Sequence, residues 1–242
     1  MGRQAVATVA ALYRFPVKSM GGESLDRAQV YWHGLLGDRR QAFVKRGDLS
    51  AFPWLTARDL PELVHYQAYL ADPTNDRHSP VLVRTPEGDE YAIESEELRA
   101  LLERKHGAPI HLMRSGRGAQ DAASVSVVGM GSIRALGERI GQTLDVRRFR
   151  QNIYLETVGG EPDVEDSWIG RLLVFGDGEN APRIRMVRPD GRCMMVNLSP
   201  EHEGQNPAVL REIATSRNNC FGIYASVEGT GTLQVGAQVY LE

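Results

Sequence analysis

The sequence predicts a mainly β protein with a few peripheral helices. Three observations carry this. Short runs rich in β-branched and aromatic residues recur along the chain, Gly and other turn residues bound most of them, and only three segments have helical periodicity. Strands this short and this closely punctuated fit a small barrel or a sandwich better than a sheet of alternating strands and helices.

In order, the first strand-like runs are Ala5–Tyr13, Ala28–Trp32, Gln41–Lys45, Leu63–Leu70, Val81–Arg84 and Ile110–Met113. A second series follows at Ser124–Val128, Asn152–Glu156, Arg171–Phe175, Ile184–Val187, Cys193–Asn197 and Phe221–Val227, then the tail from Leu233 to Leu241. The first helix is expected after Ser95, a capping residue followed by Glu96 and Glu97, with Leu98, Leu101 and Leu102 as its apolar stripe and Gly107 as its stop. A second is expected from Gly131 to Ile140. A third opens at Asn206 and Pro207, a cap followed by proline at the first helical position. Segments 72–80 and 115–120 read as surface loops. A domain boundary is placed near residue 90, dividing the chain into 1–90 and 91–242.

Composition narrows the function. The chain has 242 residues, 42% hydrophobic and 24% charged, enough to build a packed core. Its 28 Lys and Arg against 31 Asp and Glu give a net charge of -3, so no general attraction to nucleic acid is expected. The best N-terminal apolar run, Val6 to Leu12, is broken by Arg14 and is far short of a membrane span, so no membrane partner and a cytoplasmic location are expected. Histidines are scattered without a metal-binding spacing, and no phosphate-binding loop or dinucleotide fingerprint is present. The acidic run from Glu161 to Asp166 reads as a solvated loop.

The two cysteines differ in setting. Arg183, Arg185, Arg188 and Arg192 precede Cys193, and neighbouring cations favour the thiolate that binds metals or attacks. An inert core cysteine beside a solvated arginine edge is the competing reading. Cys220 precedes an apolar run and reads as a buried structural residue. Lys18 and Ser19 after the first strand, Asp38, Arg39 and Arg40 after Gly37, and Arg147, Arg148, Arg150 and Asn152 lie at strand–loop junctions. Together these groups could cradle a phosphate or carboxylate.

The segments Phe15–Ser19, Gly34–Arg40, Leu55–Arg58, Phe149–Asn152, Glu165–Trp168 and Arg192–Cys193, with the tail from Phe221, occur in an order that resembles the MOSC family, named for the C-terminal domain of molybdenum-cofactor sulfurases. The likeness is to two-part members with an N-terminal MOSC β-barrel domain, among them the mitochondrial amidoxime-reducing component and its bacterial relatives. It implies an N-terminal β-barrel part packed on a C-terminal MOSC domain. It also implies a molybdopterin-type molybdenum cofactor. In this reading Cys193 is the catalytic residue and the protein ligand to the metal. Lys18, Ser19, Arg39, Arg150 and Asn152 hold the phosphate and pterin, and Arg192 lines the site. The family is also associated with pyridoxal phosphate binding. The implied activity is reduction of small N-hydroxylated or N-oxide compounds, fed by an external ferredoxin-like or flavin electron donor. The alternative is a non-catalytic carrier of persulfide sulfur or of the cofactor. The chain departs from the family pattern at several positions. Asp190 stands where many relatives have a second Cys, Gln151 where Pro is frequent, and Gln41 where an aromatic residue is usual. Ala122 and Ala123 replace hydroxyls, a loss that Ser124 or Ser126 would make good.

Overall fold

A computed structural model describes residues 4–73, 75, 78–201 and 204–242 of the chain. Its elements in order begin with strands β1 (Ala5–Arg14), β2 (Glu23–Leu25), β3 (Arg27–Tyr31), β4 (Gly34–Leu35) and β5 (Gln41–Lys45). Next come β6 (Gln67–Leu70), β7 (Val81–Arg84), β8 (Glu90–Ala92), helix α1 (Glu96–His106), β9 (Ile110–Arg114) and β10 (Val125–Gly129). Helix α2 (Met130–Arg139), β11 (Ile153–Thr157), β12 (Leu172–Phe175), β13 (Arg183–Gly191), α3 (Pro207–Arg217), β14 (Cys220–Gly229), β15 (Gly231–Gln234) and β16 (Gln238–Leu241) complete the chain.

Seven strands close into a barrel in the order β11-β10-β14-β13-β12-β16-β1, with β1 pairing back onto β11 and β2 attached outside β1. Closure removes the open edges that a sheet of this length would otherwise expose. The first strand of the chain is therefore a stave of the barrel built mostly by the second half. Along β1, Ala7 and Val9 point inward, a register shift follows, and Leu12 again faces the interior. The barrel core joins these residues to Val127, Ile153, Leu155, Leu173, Ile184, Ile223 and Val239. One pair, β10 with β11, is parallel, and α2 makes the crossover.

A second core gathers Val17, Met20, Phe43, Leu55, Leu63, Val83, Leu98 and Leu102 beneath α1 and the small sheets β5–β9 and β6–β7–β8. A third packs α2 and α3 against one end of the barrel through Ile133, Leu136, Phe149, Val209, Ile213 and Phe221. All three helices lie where periodicity places them. Ser95 accepts a hydrogen bond from Leu98 N, Gly107 closes α1 in the left-handed region, and Asn206 caps α3.

Three expectations need correction. Leu63–Leu70 is not one strand: Pro61–His65 forms a 3-10 turn, and only Gln67–Leu70 extends. Cys193–Asn197 is not a strand either, because Met194–Asn197 is a 3-10 turn. The acidic run is not a solvated loop. Glu165 is fully buried and accepts from Gly129 N and Ser132 Oγ at the start of α2, while Asp163 and Asp166 pair with Arg217. Loop 72–80 lies partly outside the described residues. No helix among the described residues is long and apolar enough to cross a membrane.

Candidate functional site

Three turns carry the site, and each is held in a left-handed conformation at a residue other than glycine. Ser19 has φ 66°, Arg39 φ 50° and Arg150 φ 52°. Such residues cost about 1 kcal/mol or more each and persist where surrounding contacts over-determine them. Here the turns brace one another. Asp38, buried, accepts from Phe15 N at 2.8 Å and pairs with Arg39 at 2.5 Å. Arg39 N donates to Phe15 O, and Arg39 Nη2 donates to Arg150 O at 2.9 Å. Arg150 Nη1 donates to Met20 O at 2.6 Å. The guanidinium groups of Arg39 and Arg150 lie 4.9 and 4.4 Å from the centre of the Phe15 ring.

The result is one cleft lined by Lys18, Ser19, Arg39, Arg150, Asn152, Arg192 and Cys193, all seven residues singled out from sequence. Their sequence separation is bridged because β1, β10, β11 and β13 converge on the same mouth of the barrel. Lys18 Nζ donates to Ala119 O at 2.7 Å and to Asp121 at 2.5 Å. Asn152 Oδ1 accepts from Ser126 N and Oγ, both at 3.2 Å, and its Nδ2 donates to Tyr13 O. Ser126 thus reaches the cleft, whereas Ser124 does not line it. Arg192 pairs with buried Asp190 and donates to Phe149 O at 2.5 Å. Cys193 and Cys220 are both free and both half-buried, so Cys220, the first residue of β14, is less enclosed than expected.

Of the four arginines upstream of Cys193, Arg192 lines the cleft with it and the other three do not. Successive residues of a strand face opposite sides. On β13, Arg183 pairs with Glu242, Arg185 with Glu228, and Arg188 stacks over Tyr224, all outside the cleft. Arg147 pairs with Asp145 and Glu201, and Arg148 donates to the carbonyls of Val196, Asn197 and Leu198, pinning the turn after Cys193. The cation at the thiol is Arg58, from the other half of the chain. It lines the cleft with Cys193, whose proximity holds the guanidinium above its ordinary value.

Other lining residues carried no individual signal. Gln151 Nε2 donates to Asp190 at 2.8 Å, and both side chains are buried, so two departures from the family pattern meet in one contact. Tyr224 lines the cleft, and burial, then the Asp190 carboxylate, raise its phenol. Only a paired reading of positions 151 and 190 could have found the first of these.

The electrostatics call for an anion. Five cationic side chains, Lys18, Arg39, Arg58, Arg150 and Arg192, line the cleft against two carboxylates, Asp121 and Asp190. Burial, opposed by Asp121, holds Lys18 below its ordinary value. Burial and then the like charge on Arg39 push Arg150 down to about 9. Among the described residues Arg150 has no ion pair, and the buried Nε of Arg192 has no hydrogen-bond partner. A soft thiolate donor, a surplus of guanidinium groups and unpaired buried donors suit a ligand that carries both a soft metal and a phosphate.

The family model described as the MOSC domain matches residues 103–240, and the one described as the MOSC N-terminal beta barrel domain matches residues 6–126. Mitochondrial amidoxime-reducing component 1 of Xenopus laevis is 28% identical over 134 residues, which are 50% of this chain and 36% of that protein. The match therefore spans about a third of that relative's length. The crystal structure of the YuaD protein from Bacillus subtilis superposes with a TM-score of 0.52 at 13% identity, covering 99% of this chain and 97% of that one, a likeness of fold alone.

Proposed function

The chain belongs to the MOSC family, and on that premise we propose that it is a molybdenum-cofactor-dependent oxidoreductase that reduces N-hydroxylated or N-oxide compounds. The observation that carries this reading is the convergence of six basic or polar residues around Cys193 in one cleft. Cys193 would give its thiolate to the metal, a soft ligand for a soft site. Lys18, Ser19, Arg39, Arg150, Asn152 and Arg192 would hold the phosphate and pterin through charge-assisted hydrogen bonds. Bound there, the cofactor supplies a two-electron centre for oxygen-atom transfer.

The chain's own residues bind, orient and shield. The interlocked turns fix Arg39 and Arg150 before any ligand arrives, so little ordering remains to oppose binding. Asp190 and Gln151 hold Arg192 toward the cleft, and Arg58 adds a further cation to the cleft that Cys193 lines. In the overall reaction the N–O bond breaks and the oxygen leaves as water; an N-hydroxylated compound gains an N–H bond, whereas an N-oxide gives the free amine and both protons go to water. Two protons and two electrons are consumed, and a separate ferredoxin-like or flavin protein would supply the electrons. Amidoximes are the substrate class suggested by the name of the Xenopus relative.

The test is metal and pterin content of protein purified from a host that makes the cofactor, together with turnover of benzamidoxime under a chemical reductant. Wild type and Cys220→Ala are expected to hold molybdenum and turn over. Cys193→Ser is expected to fold but lose activity, because a hydroxyl is a harder and far less acidic ligand. A metal-free wild-type protein, or full activity in Cys193→Ser, would overturn the reading. Cyanide-releasable sulfur on Cys193 without turnover would establish the carrier role instead.

A further inference from the structure

Four of the cleft's five cations are engaged within the protein. Lys18 is bound to Asp121, Arg39 to Asp38 and Arg192 to Asp190, while Arg150, buried and without an ion pair among the described residues, donates to Met20 O and lies over the Phe15 ring. Arg58 differs. It is exposed at the mouth and makes no ion pair among the described residues. The two acids that act on it are committed elsewhere: Asp121 pairs with Lys18 at 2.5 Å, and Asp59 accepts from Thr56 N and Oγ at 2.9 Å and pairs with Lys45 at 3.3 Å. The same hydrogen bonds, with Arg58 N donating to Thr56 Oγ, make 56–59 a tight turn that fixes where Arg58 starts. Its guanidinium lines the same cleft as Cys193 and lies 5.8 Å from the centre of the Phe52 ring, which is 39% exposed.

A guanidinium has five N–H donors, and without an ion pair Arg58 keeps a fork free. That fork matches a carboxylate in a way a lysine ammonium does not. Next to it, the exposed Phe52 ring, which also has Lys18 Nζ 5.4 Å from its centre, offers apolar surface for a flat body.

We propose that Arg58 is a specificity-determining residue that draws the carboxylate of a flat organic acid to the cleft mouth beside Cys193, with Phe52 against the acid's planar body. The preferred N-hydroxylated substrates are then acidic, not neutral or cationic. This rests on Cys193 marking the reaction centre, as in the function proposed above.

The first test needs no cofactor. In a full-length Cys220→Ala background, expressed without pterin synthesis, Cys193 is alkylated by iodoacetate and by iodoacetamide and the two rates are compared. Any change in the sulfur's own reactivity acts on both reagents alike, so the ratio isolates recognition of the carboxylate. Arg58→Gln is expected to lower the iodoacetate-to-iodoacetamide ratio about tenfold, the size of one lost charge-assisted contact. Arg58→Lys is expected to fall between the two, keeping the charge and losing the fork. The second test uses loaded protein and compares benzamidoxime with its para-carboxylated analogue. The Michaelis constant for the acid, relative to that for the neutral parent, is expected to rise about tenfold in Arg58→Gln. An unchanged ratio in either assay overturns the role of Arg58 whatever the metal content. Protein that never loads molybdenum sinks the proposed activity whatever the alkylation ratio.

Discussion

Arg150 bears two burdens at once, a left-handed backbone and a buried charge without a carboxylate partner. A guanidinium surrenders its proton so reluctantly that the second burden is relieved by capturing an anion instead. Inorganic phosphate should therefore stabilise the cofactor-free chain, by about 2.7 kcal/mol at a hundredfold excess over its dissociation constant. Most of that increment should vanish in Arg150→Met, and thermal melts with and without phosphate measure it. An equal shift in both proteins would show that the anion binds elsewhere. At this scale the sequence was a good guide to the cradle, because Lys18, Ser19, Arg39, Arg150, Asn152 and Arg192 each sit in a segment with a recognisable pattern. It misled at Arg183, Arg185 and Arg188, since nearness in sequence to Cys193 says nothing about which side of β13 a residue faces. Arg58 was hidden for the opposite reason: it lines the cleft from a turn 135 positions before Cys193. The Gln151–Asp190 contact was hidden because each residue, read alone, is merely an exception.

Strands were legible as elements wherever alternation was uninterrupted. Gln41–Lys45 and Val81–Arg84 are found with the expected bounds. The two errors share a cause. Apolar runs at Leu63 and at Met194 look like strands, but Pro61 starts a turn in the first, and in the second Arg148 gathers three successive carbonyls. Tertiary contacts override local preference there. Very short strands such as β4 leave no pattern at all, yet β4 depends on one atom. Gly34 has φ 101°, and a Cβ at that position would lie 2.1 Å from the carbonyl oxygen of Ser124, just before β10. Gly34→Ala therefore combines backbone strain with a clash against main chain, which a side-chain rotation cannot relieve. It should cost roughly 2–4 kcal/mol. Urea unfolding would register this as a lower midpoint with an unchanged slope. A change below about 0.5 kcal/mol, the scatter of an ordinary surface substitution, would mean that the turn before β4 adapts freely.

Across the whole molecule, the cleft lies where three cores meet. Lys18 and Ser19 are flanked by Val17 and Met20 of the second core, Arg150 follows Phe149 of the third, and Asn152 precedes Ile153 of the barrel. Anion affinity should therefore depend on packing far from the anion, and selectively so. Leu98 on α1 is fully buried in the same core as Val17 and Met20, and Leu98→Ala should cost about 2–5 kcal/mol. Leu233 on β15 is as deeply buried, but β15 and its partner β3 supply no residue to the cleft. Leu233→Ala should be comparably destabilising. The two variants should part company in phosphate. Loosening the second core frees the turn that presents Lys18 and Ser19, so the stabilisation gained from phosphate should shrink in Leu98→Ala. In Leu233→Ala it should stay near the wild-type increment, since neither β15 nor β3 presents a residue to the anion. Paired melts at fixed phosphate give the comparison directly. Equal shrinkage in both variants would mean that the cleft answers to overall stability and not to the core beneath its first turn.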